Sequence, residues 1–264
     1  MQIAKLYLRR ISTLWFLFAI FLSPNALARK NAAHQDAAPK NAASRDAAQK
    51  DTAPKGAPAS LESVLTSMDK AADSFKTTEA DFVWDQFTKV VEQTDTETGK
   101  IYFRRAKNEI QMLADVTGPK PENKKSVLYS DSKIQLYQPG KLDTVTIYDM
   151  SKKPEVESFL VLGFGGRGHD LPKSFDVTYL GSEKLNGVDT EKINLVPKSA
   201  QARNTFDHII LWIDPSKGIS VQQQLVAGNE DYRLAKYSNI RVDQKIPDNA
   251  FKLKTTGKTK FVTP

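Results

Sequence analysis

The chain has 264 residues, a formal net charge of +7 and no cysteine. With 40% hydrophobic residues it is long enough to bury a core, and the lack of Cys excludes disulfides, thiolate metal sites, cysteine nucleophiles and a lipidated cysteine. Its Lys and Arg residues are spread along the sequence, so the positive charge does not predict a nucleic-acid partner.

The first 28 residues have the pattern of a cleavable export signal. Lys5, Arg9 and Arg10 precede an apolar run at residues 11–22, and an Ala-Leu-Ala cleavage site ends at Ala28. The apolar run is shorter than the ~20 residues that cross a bilayer. We expect cleavage after Ala28 and release of the mature protein outside the cytoplasm, and the paired arginines are also compatible with twin-arginine export.

Residues 29–59 form a low-complexity segment of Ala, Lys, Asp, Asn, Gln and Pro with an imperfect ten-residue repeat. No large aliphatic or aromatic side chain occurs in it, so burial cannot offset the entropy of ordering its backbone. We predict a disordered arm that acts as a solvated spacer, or alternatively as a tether or surface-binding segment.

One folded domain is predicted over residues 60–264, and it begins with an amphipathic helix. Ser60 is the predicted N-cap, and apolar residues recur at spacings of three and four from Leu61 to Phe75. The apolar stripe of this helix needs a partner, and a sheet face is the natural one.

The rest of the domain has the two-residue periodicity of β-strands. Residues 99–116 read as a hairpin, because Ile101 and Phe103 alternate with polar residues in its first arm, as Ile110 and Met112 do in its second. Short connections between successive strands predict an antiparallel meander of about ten or eleven strands, which would curl or close on itself. Further strands are predicted at residues 80–87, 126–130, 133–138, 144–148, 175–180, 191–196, 206–213, 219–226 and 232–240.

Residues 151–174 interrupt the meander. Pro154 is placed to begin a short helix, residues 159–164 are densely apolar, and several glycines follow at residues 163–168. This pattern is equally compatible with a lid over a cavity and with a plug that fills the core. The glycine run matches G-x-G-x-x-G, but it follows a predicted helix and runs into Pro172, which excludes a dinucleotide site.

No pattern in the sequence indicates catalysis. The histidines, His34, His169 and His208, lack metal-ligand spacing, and neither a G-x-S-x-G elbow nor an H-E-x-x-H pair occurs. Acidic residues are scattered over predicted strand faces and turns. We therefore expect a protein that is not an enzyme and that needs neither a metal nor a cofactor.

Four segments resemble the periplasmic outer-membrane lipoprotein carrier family, LolA. These are SVLYSDSKIQLYQP at residues 126–139, GKIYFRRA at 99–106, INLVPKS at 193–199 and FKLK at 251–254. Each motif is short, but their order and spacing extend over most of the predicted domain.

The resemblance implies a mainly β (α+β) fold, a single curved antiparallel sheet forming an unclosed β-barrel that an N-terminal helix and a helical lid cover. It implies a soluble, monomeric carrier, or chaperone, that binds lipoprotein acyl chains in an apolar cavity. The cargo would come from an inner-membrane ABC transporter and pass to an outer-membrane receptor. That receptor is itself a lipoprotein, so the absence of Cys favours the shuttle.

The resemblance also implies a lid latch, an arginine that bonds lid carbonyls and keeps the empty cavity closed. Arg105 matches that position, and Arg104 is the alternative if the strand register slips by one residue. Other functions on the same fold remain open, namely an envelope regulator that senses lipids or lipoproteins and a carrier of free lipids. The candidate cavity residues are Leu65, Met68, Phe82, Trp84, Ile101, Phe103, Ile110, Met112, Leu136, Phe159, Leu162, Phe164, Leu211 and Leu225.

Overall fold

The computed structural model describes residues 60–106, 109–118, 124–140, 142–152 and 159–264. The predicted export signal, the predicted arm and the helix start at Pro154 lie outside the described residues. Within the described parts of the chain, no helix is long and apolar enough to cross a bilayer.

Helix α1 is Leu61–Ser74, and its start follows from local hydrogen bonding. The Ser60 side chain accepts from the Ser63 backbone N–H, and the Ser63 hydroxyl accepts from the Ser60 N–H, so two amides without intrahelical partners are satisfied. The residues that recur at three and four positions form its buried stripe, as predicted. They are Val64, Leu65, Met68 and Ala72.

The described chain is otherwise mostly strand, with helical residues at 159–160 and two further helices of one turn each, α2 (Leu171–Ser174) and α3 (Ala200–Arg203). Short 3₁₀ turns occur at Lys89–Val91, Gly168–Asp170 and Asp248–Phe251. The strands are β1 Thr77–Thr88, β2 Gln93–Ala106, β3 Glu109–Thr117, β4 Lys125–Ser130, β5 Lys133–Gln138, β6 Thr144–Asp149, β7 Phe175–Leu185, β8 Val188–Pro197, β9 His208–Asp214, β10 Ile219–Val226, β11 Tyr232–Val242 and β12 Lys260–Val262.

All of these strands belong to one 12-stranded sheet, in the order β12-β6-β5-β4-β3-β2-β1-β11-β10-β9-β8-β7. The sheet is open, because β12 and β7 are its edges. Strands β1 to β6 form one meander and β7 to β11 form another. Pairing of β1 with β11 joins them and places Phe82 opposite Tyr237. The predicted fold class, a single unclosed and mainly antiparallel sheet with helices, is confirmed.

Several details of the sheet differ from the prediction, and one is that β2 begins at Gln93, six residues before the predicted hairpin start at Gly99. Strand β12 was not predicted, and it pairs parallel to β6, so the sheet is not wholly antiparallel. Its three residues are all exposed and lack the alternation that marks a half-buried strand. Strand β7 continues past the predicted end at Leu180 because a register shift between Tyr179 and Gly181 lets pairing with β8 resume.

The two faces of the sheet are covered differently. On the face that we call the inner face, Phe103 of β2 pairs with Met112 of β3. On the outer face, Leu113 and Leu128 pack with Phe251 of the C-terminal 3₁₀ turn. The C-terminal segment therefore covers the outer face, and α1 with residues 159–170 covers the inner face.

Gly99 on β2 provides a test of the inner-face packing. A Cβ at this position would lie 2.1 Å from the Asp115 carbonyl oxygen and 2.6 Å from Cζ of Phe82. We expect Gly99→Ala to lower the free energy of unfolding by about 1–3 kcal/mol, because backbone and ring must both shift. Chemical denaturation measures this, with Gly228→Ala as the control, since a Cβ at that position would have no atom within 4 Å. Equal effects of the two substitutions would contradict the packing.

Candidate functional site

The candidate cavity residues that lie in strands share the inner face. Directly paired residues of an antiparallel sheet point to the same side, so register decides the face. Phe103 pairs with Met112, and Trp84 pairs with Ala235, which in turn pairs with Gln223. The same chain of pairings places the remaining candidates on this side, namely Phe82, Ile101, Ile110, Leu136, Leu211 and Leu225.

The candidate cavity residues outside the strands pack against the same inner face. Leu65 and Met68 belong to the buried stripe of α1, and Leu162 is buried. Phe159 is half-buried, and its ring lies 5.4 Å from that of Phe175 and 6.0 Å from that of Phe206.

Phe164 occupies the centre of the inner face. Only 1% of this residue is exposed, its ring stacks on Phe103 with centroids 4.8 Å apart, and it meets the Tyr237 ring edge to face at 4.8 Å. The side chain therefore fills space that the sheet would otherwise leave lined by apolar groups. We call residues 159–168 the lid segment and Phe164 its plug.

Glycines on both sides of Phe164 permit this insertion. Gly163 and Gly165 have φ of +75° and +80°, in the left-handed region that favours glycine. A Cβ on Gly163 would lie 2.3 Å from Ser220 Cβ, and one on Gly165 would lie 2.7 Å from the Phe75 ring. Part of the glycine run thus serves close packing of the lid segment.

Among the described residues, few polar contacts hold the lid segment to the sheet. The Ser220 backbone N–H donates to the Gly163 carbonyl at 2.9 Å, and the Gln223 amide donates to the Leu162 carbonyl at 2.5 Å. Arg105 Nη2 donates to the Gly165 carbonyl at 3.3 Å and to the Ala72 carbonyl of α1 at 3.4 Å. Arg105 therefore joins the helix, the lid segment and the sheet.

Arg104, the alternative latch, lies on the outer face. Its guanidinium bonds Gln111 and Asp248, at 2.7 and 2.6 Å, and lies 4.3 Å from the centre of the Phe251 ring. Of the two arginines, Arg105 is the one that bonds the lid segment in the described part of the chain. Alternation along β2 explains why neighbouring arginines serve opposite faces.

Charged side chains lie at one end of the inner face. Lys125 Nζ is 2.8 Å from Glu97 Oε1, and both side chains are largely buried. Burial lowers the pKa of Lys125, and the Glu97 carboxylate opposes that shift. The Arg233 guanidinium lies 5.3 Å from the Trp84 ring centre. The apolar part of the face is thus bounded by a polar, partly buried margin.

Ion pairs on the solvent side connect the chain after the plug to α1. Arg167 pairs with Asp73, and His169 Nδ1 lies 2.6 Å from Asp69 Oδ2. His169 Nε2 also lies 3.2 Å from Glu62 Oε1. Hydrogen bonds to Asp69 and then to Glu62 raise the pKa of His169. Protonation of one imidazole is therefore linked to contact between the helix and the chain that carries the plug.

A separate groove of about 630 Å³ runs between the exposed side of α1 and the β9–β10 turn. Hydroxyl groups and two lysines line it, among them Ser67, Lys70 and Lys217. Its polar lining is unsuited to hydrocarbon. Among the described residues, no group of three or more His, Cys, Asp or Glu side chains is arranged to hold a metal ion.

No family model matches the sequence, and no curated protein matches it. Among solved structures, an uncharacterized conserved protein from Thermus thermophilus is 8% identical, with a TM-score of 0.51 over 77% of this chain and 98% of that one. The likeness is one of fold. A LolA superfamily protein from Nitrosomonas europaea is 12% identical, with a TM-score of 0.39 over 74% and 98% of the two chains. A putative outer membrane lipoprotein-sorting protein domain from Vibrio parahaemolyticus is 13% identical, with a TM-score of 0.40 over 72% and 95%.

Sequence reasoning missed several inner-face residues, above all Gln223 and Tyr237. Gln223 stands between glutamines, and only its register separates it from Gln222 and Gln224. The available signal was its position two residues before Leu225, a predicted cavity residue. Tyr237 carried no signal of this kind, because its role depends on pairing with Phe82 far away in sequence.

The charged contacts of His169 predict a pH-dependent stability. A pKa raised above 6.5 in the folded protein means that folding favours the imidazolium. The contribution of His169 to the free energy of unfolding is present in full below the pKa of the unfolded state, and it is lost as pH rises through the pKa of the folded state. We expect His169→Gln to destabilise the protein at about pH 6, and this difference from wild type to shrink toward pH 9. Denaturation at several pH values measures it, with His208→Gln as control, and a difference that stays constant with pH would contradict the linkage.

Proposed function

We propose that this protein binds acyl chains on the inner face of its sheet and that the lid segment leaves this face when ligand enters. The observation that carries the proposal is Phe164, an aromatic side chain inserted fully into an apolar face by a segment with few polar contacts. A plug of this kind occupies the place that a hydrocarbon chain would take.

The driving force for binding is the burial of hydrocarbon. Each acyl CH₂ group removed from water contributes ~0.8 kcal/mol, so a long chain in an aqueous compartment strongly favours an apolar site. The ligand must also displace Phe164, which costs the burial of one aromatic side chain. Several chains can exceed this cost, whereas one short chain would not.

Release requires that the closed state be close in free energy to the loaded one. A typical hydrogen bond contributes only ~0.5 to 1.5 kcal/mol net, so a lid held by a few of them opens at modest cost. The Arg105 guanidinium donates to carbonyls of both α1 and the lid segment. We assign it the role of the lid latch, which favours the closed, empty state and so assists release.

The biological role that agrees best with these features is transport of acylated lipoproteins across the periplasm. In this role the protein is a carrier without chemistry of its own, which accepts cargo from an inner-membrane ABC transporter and delivers it to an outer-membrane receptor. The export pattern of the first 28 residues and the absence of Cys support an exported chain without a lipid anchor. We propose that it acts as a monomer.

Native mass spectrometry of protein purified from its producing cells without detergent tests this function. A co-purifying triacylated protein is the expected result, and it would identify the cargo. Free phospholipid alone would instead indicate a lipid carrier or a lipid-sensing regulator. Protein that is always empty and cannot take up a supplied tripalmitoylated lipopeptide would overturn the proposal.

Removal of the plug gives a direct prediction. Phe164→Ala should lower the free energy of unfolding of the empty protein by about 3–5 kcal/mol, because a fully buried aromatic ring is lost. The same change should raise the affinity for a tripalmitoylated lipopeptide, because the competing side chain is gone. Fluorescence titration measures the affinity, and Phe251→Ala on the outer face is the control. Weaker lipopeptide binding by Phe164→Ala would contradict the plug role.

The latch role of Arg105 predicts an asymmetric effect on transport. Arg105→Leu removes the guanidinium that stabilises the closed state, so release of cargo to a receptor should be impaired more than its uptake. A transfer assay with lipopeptide-loaded protein and an outer-membrane receptor measures release, with Arg104→Leu as the matched control. Equal transfer by Arg105→Leu and wild type would refute the assignment.

A further inference from the structure

Gln223 makes a buried side-chain hydrogen bond to the lid segment. Only 9% of this residue is exposed, and its Nε2 donates to the Leu162 carbonyl two residues before the plug. The other face of the same strand carries Gln222 and Gln224, which are half-buried. An amide at an inward position of an apolar face must have a partner, because a buried polar group without one is costly.

Tyr237 fixes the orientation of this amide. Its hydroxyl lies 3.2 Å from Gln223 Oε1, and the Leu162 carbonyl can only accept a hydrogen bond. The amide NH₂ must therefore face Leu162, and its oxygen must face the Tyr237 hydroxyl, which donates. Burial raises the pKa of Tyr237, so the phenol keeps its proton and remains a donor.

This contact differs in kind from that of Arg105. The Arg105 bonds to Gly165 and Ala72 are 3.3 and 3.4 Å long, and the residue is exposed to water. The Gln223 bond is 2.5 Å long and buried. When hydrocarbon takes the place of the lid segment, water can still reach Arg105, whereas the amide of Gln223 would be buried against hydrocarbon without a partner.

We propose that Gln223, oriented by Tyr237, is the point at which the Leu162 carbonyl of the lid segment and the acyl carbonyl of a ligand replace each other. This inference rests on the proposed function. A ligand that displaces the plug must supply a hydrogen-bond acceptor for Nε2, and the ester or amide carbonyl at the head of an acyl chain is the acceptor that such ligands carry. The site therefore selects acyl chains over alkyl ether chains of equal length.

The first measurement uses the protein without ligand. The Ser220 amide donates to the Gly163 carbonyl, so its hydrogen exchange reports departure of the lid segment. Gln223→Leu and Tyr237→Phe should each lower the protection of this amide about tenfold or more. Gln224→Leu, the same change on the other face of β10, should leave it unchanged. Unchanged protection in both Gln223→Leu and Tyr237→Phe would overturn the inference.

The second measurement compares two probes, a fluorescent diacyl lipopeptide and its dialkyl ether analogue with equal chain lengths. Wild type and Gln224→Leu should bind the diacyl probe about tenfold more tightly, because the ether leaves the amide poorly paired. Gln223→Leu should bind the two probes about equally. Tyr237→Phe, which removes one hydroxyl and keeps the ring, serves as the second variant and should show a reduced preference.

The outcomes separate the two proposals. Wild-type protein that binds both probes equally well, or a preference that survives in Gln223→Leu, overturns the exchange role while acyl-chain binding stands. Wild-type protein that binds neither probe overturns the proposed function and the ligand step with it. In that case the Ser220 exchange still decides whether Gln223 holds the lid segment closed.

Discussion

Burial of one apolar sheet face is the constraint on which the rest of this structure depends. A 12-stranded open sheet presents more inner surface than one amphipathic helix can cover. The chain covers the remainder with residues 159–168 and inserts Phe164 at the centre. Because this cover belongs to a connecting segment and not to a strand, it can leave without breaking the sheet. The proposed site for hydrocarbon uses the same apolar face whose burial stabilises the empty protein.

In the proposed function, the polar contacts around the lid segment decide how easily a ligand replaces it. Contacts at the rim, such as those of Arg105 and His169, face water and are individually weak. The contact of Gln223 is buried, and its loss must be compensated by whatever enters. Under the proposed function, the rim contacts set how often the lid segment leaves the sheet, and the contact of Gln223 sets which ligand replaces it. Glycines next to Phe164 allow the backbone to approach the sheet closely enough for both the Arg105 and the Gln223 contacts to form.

Periodicity was sufficient to predict most elements and the shared face of the candidate residues in the hairpin of β2 and β3, whereas strands that are apolar on both sides, such as β9, gave no face. Two-residue alternation identified Ile101, Phe103, Ile110 and Met112 as one-sided, and pairing places all four on the inner face. The three- and four-residue spacing after Ser60 predicted α1 with its N-cap. These predictions succeeded because each depends on local backbone geometry and on burial of one side, which are visible in a short window of sequence. The sequence pattern of residues 151–174 did not distinguish between two interpretations, a lid over a cavity and a plug that fills the core.

The sequence by itself thus determined a β-rich domain with one apolar face, a covering helix and a glycine-flanked apolar segment. Tertiary structure alone decided the parallel pairing of β12, the position of Arg104 on the outer face and the meeting of Gln223, Tyr237 and Leu162. Each of these depends on strands and segments far apart in sequence. Hydrogen bonds between polar groups that are far apart in sequence produce no periodicity in the sequence, because any Gln or Tyr at the right register can make them.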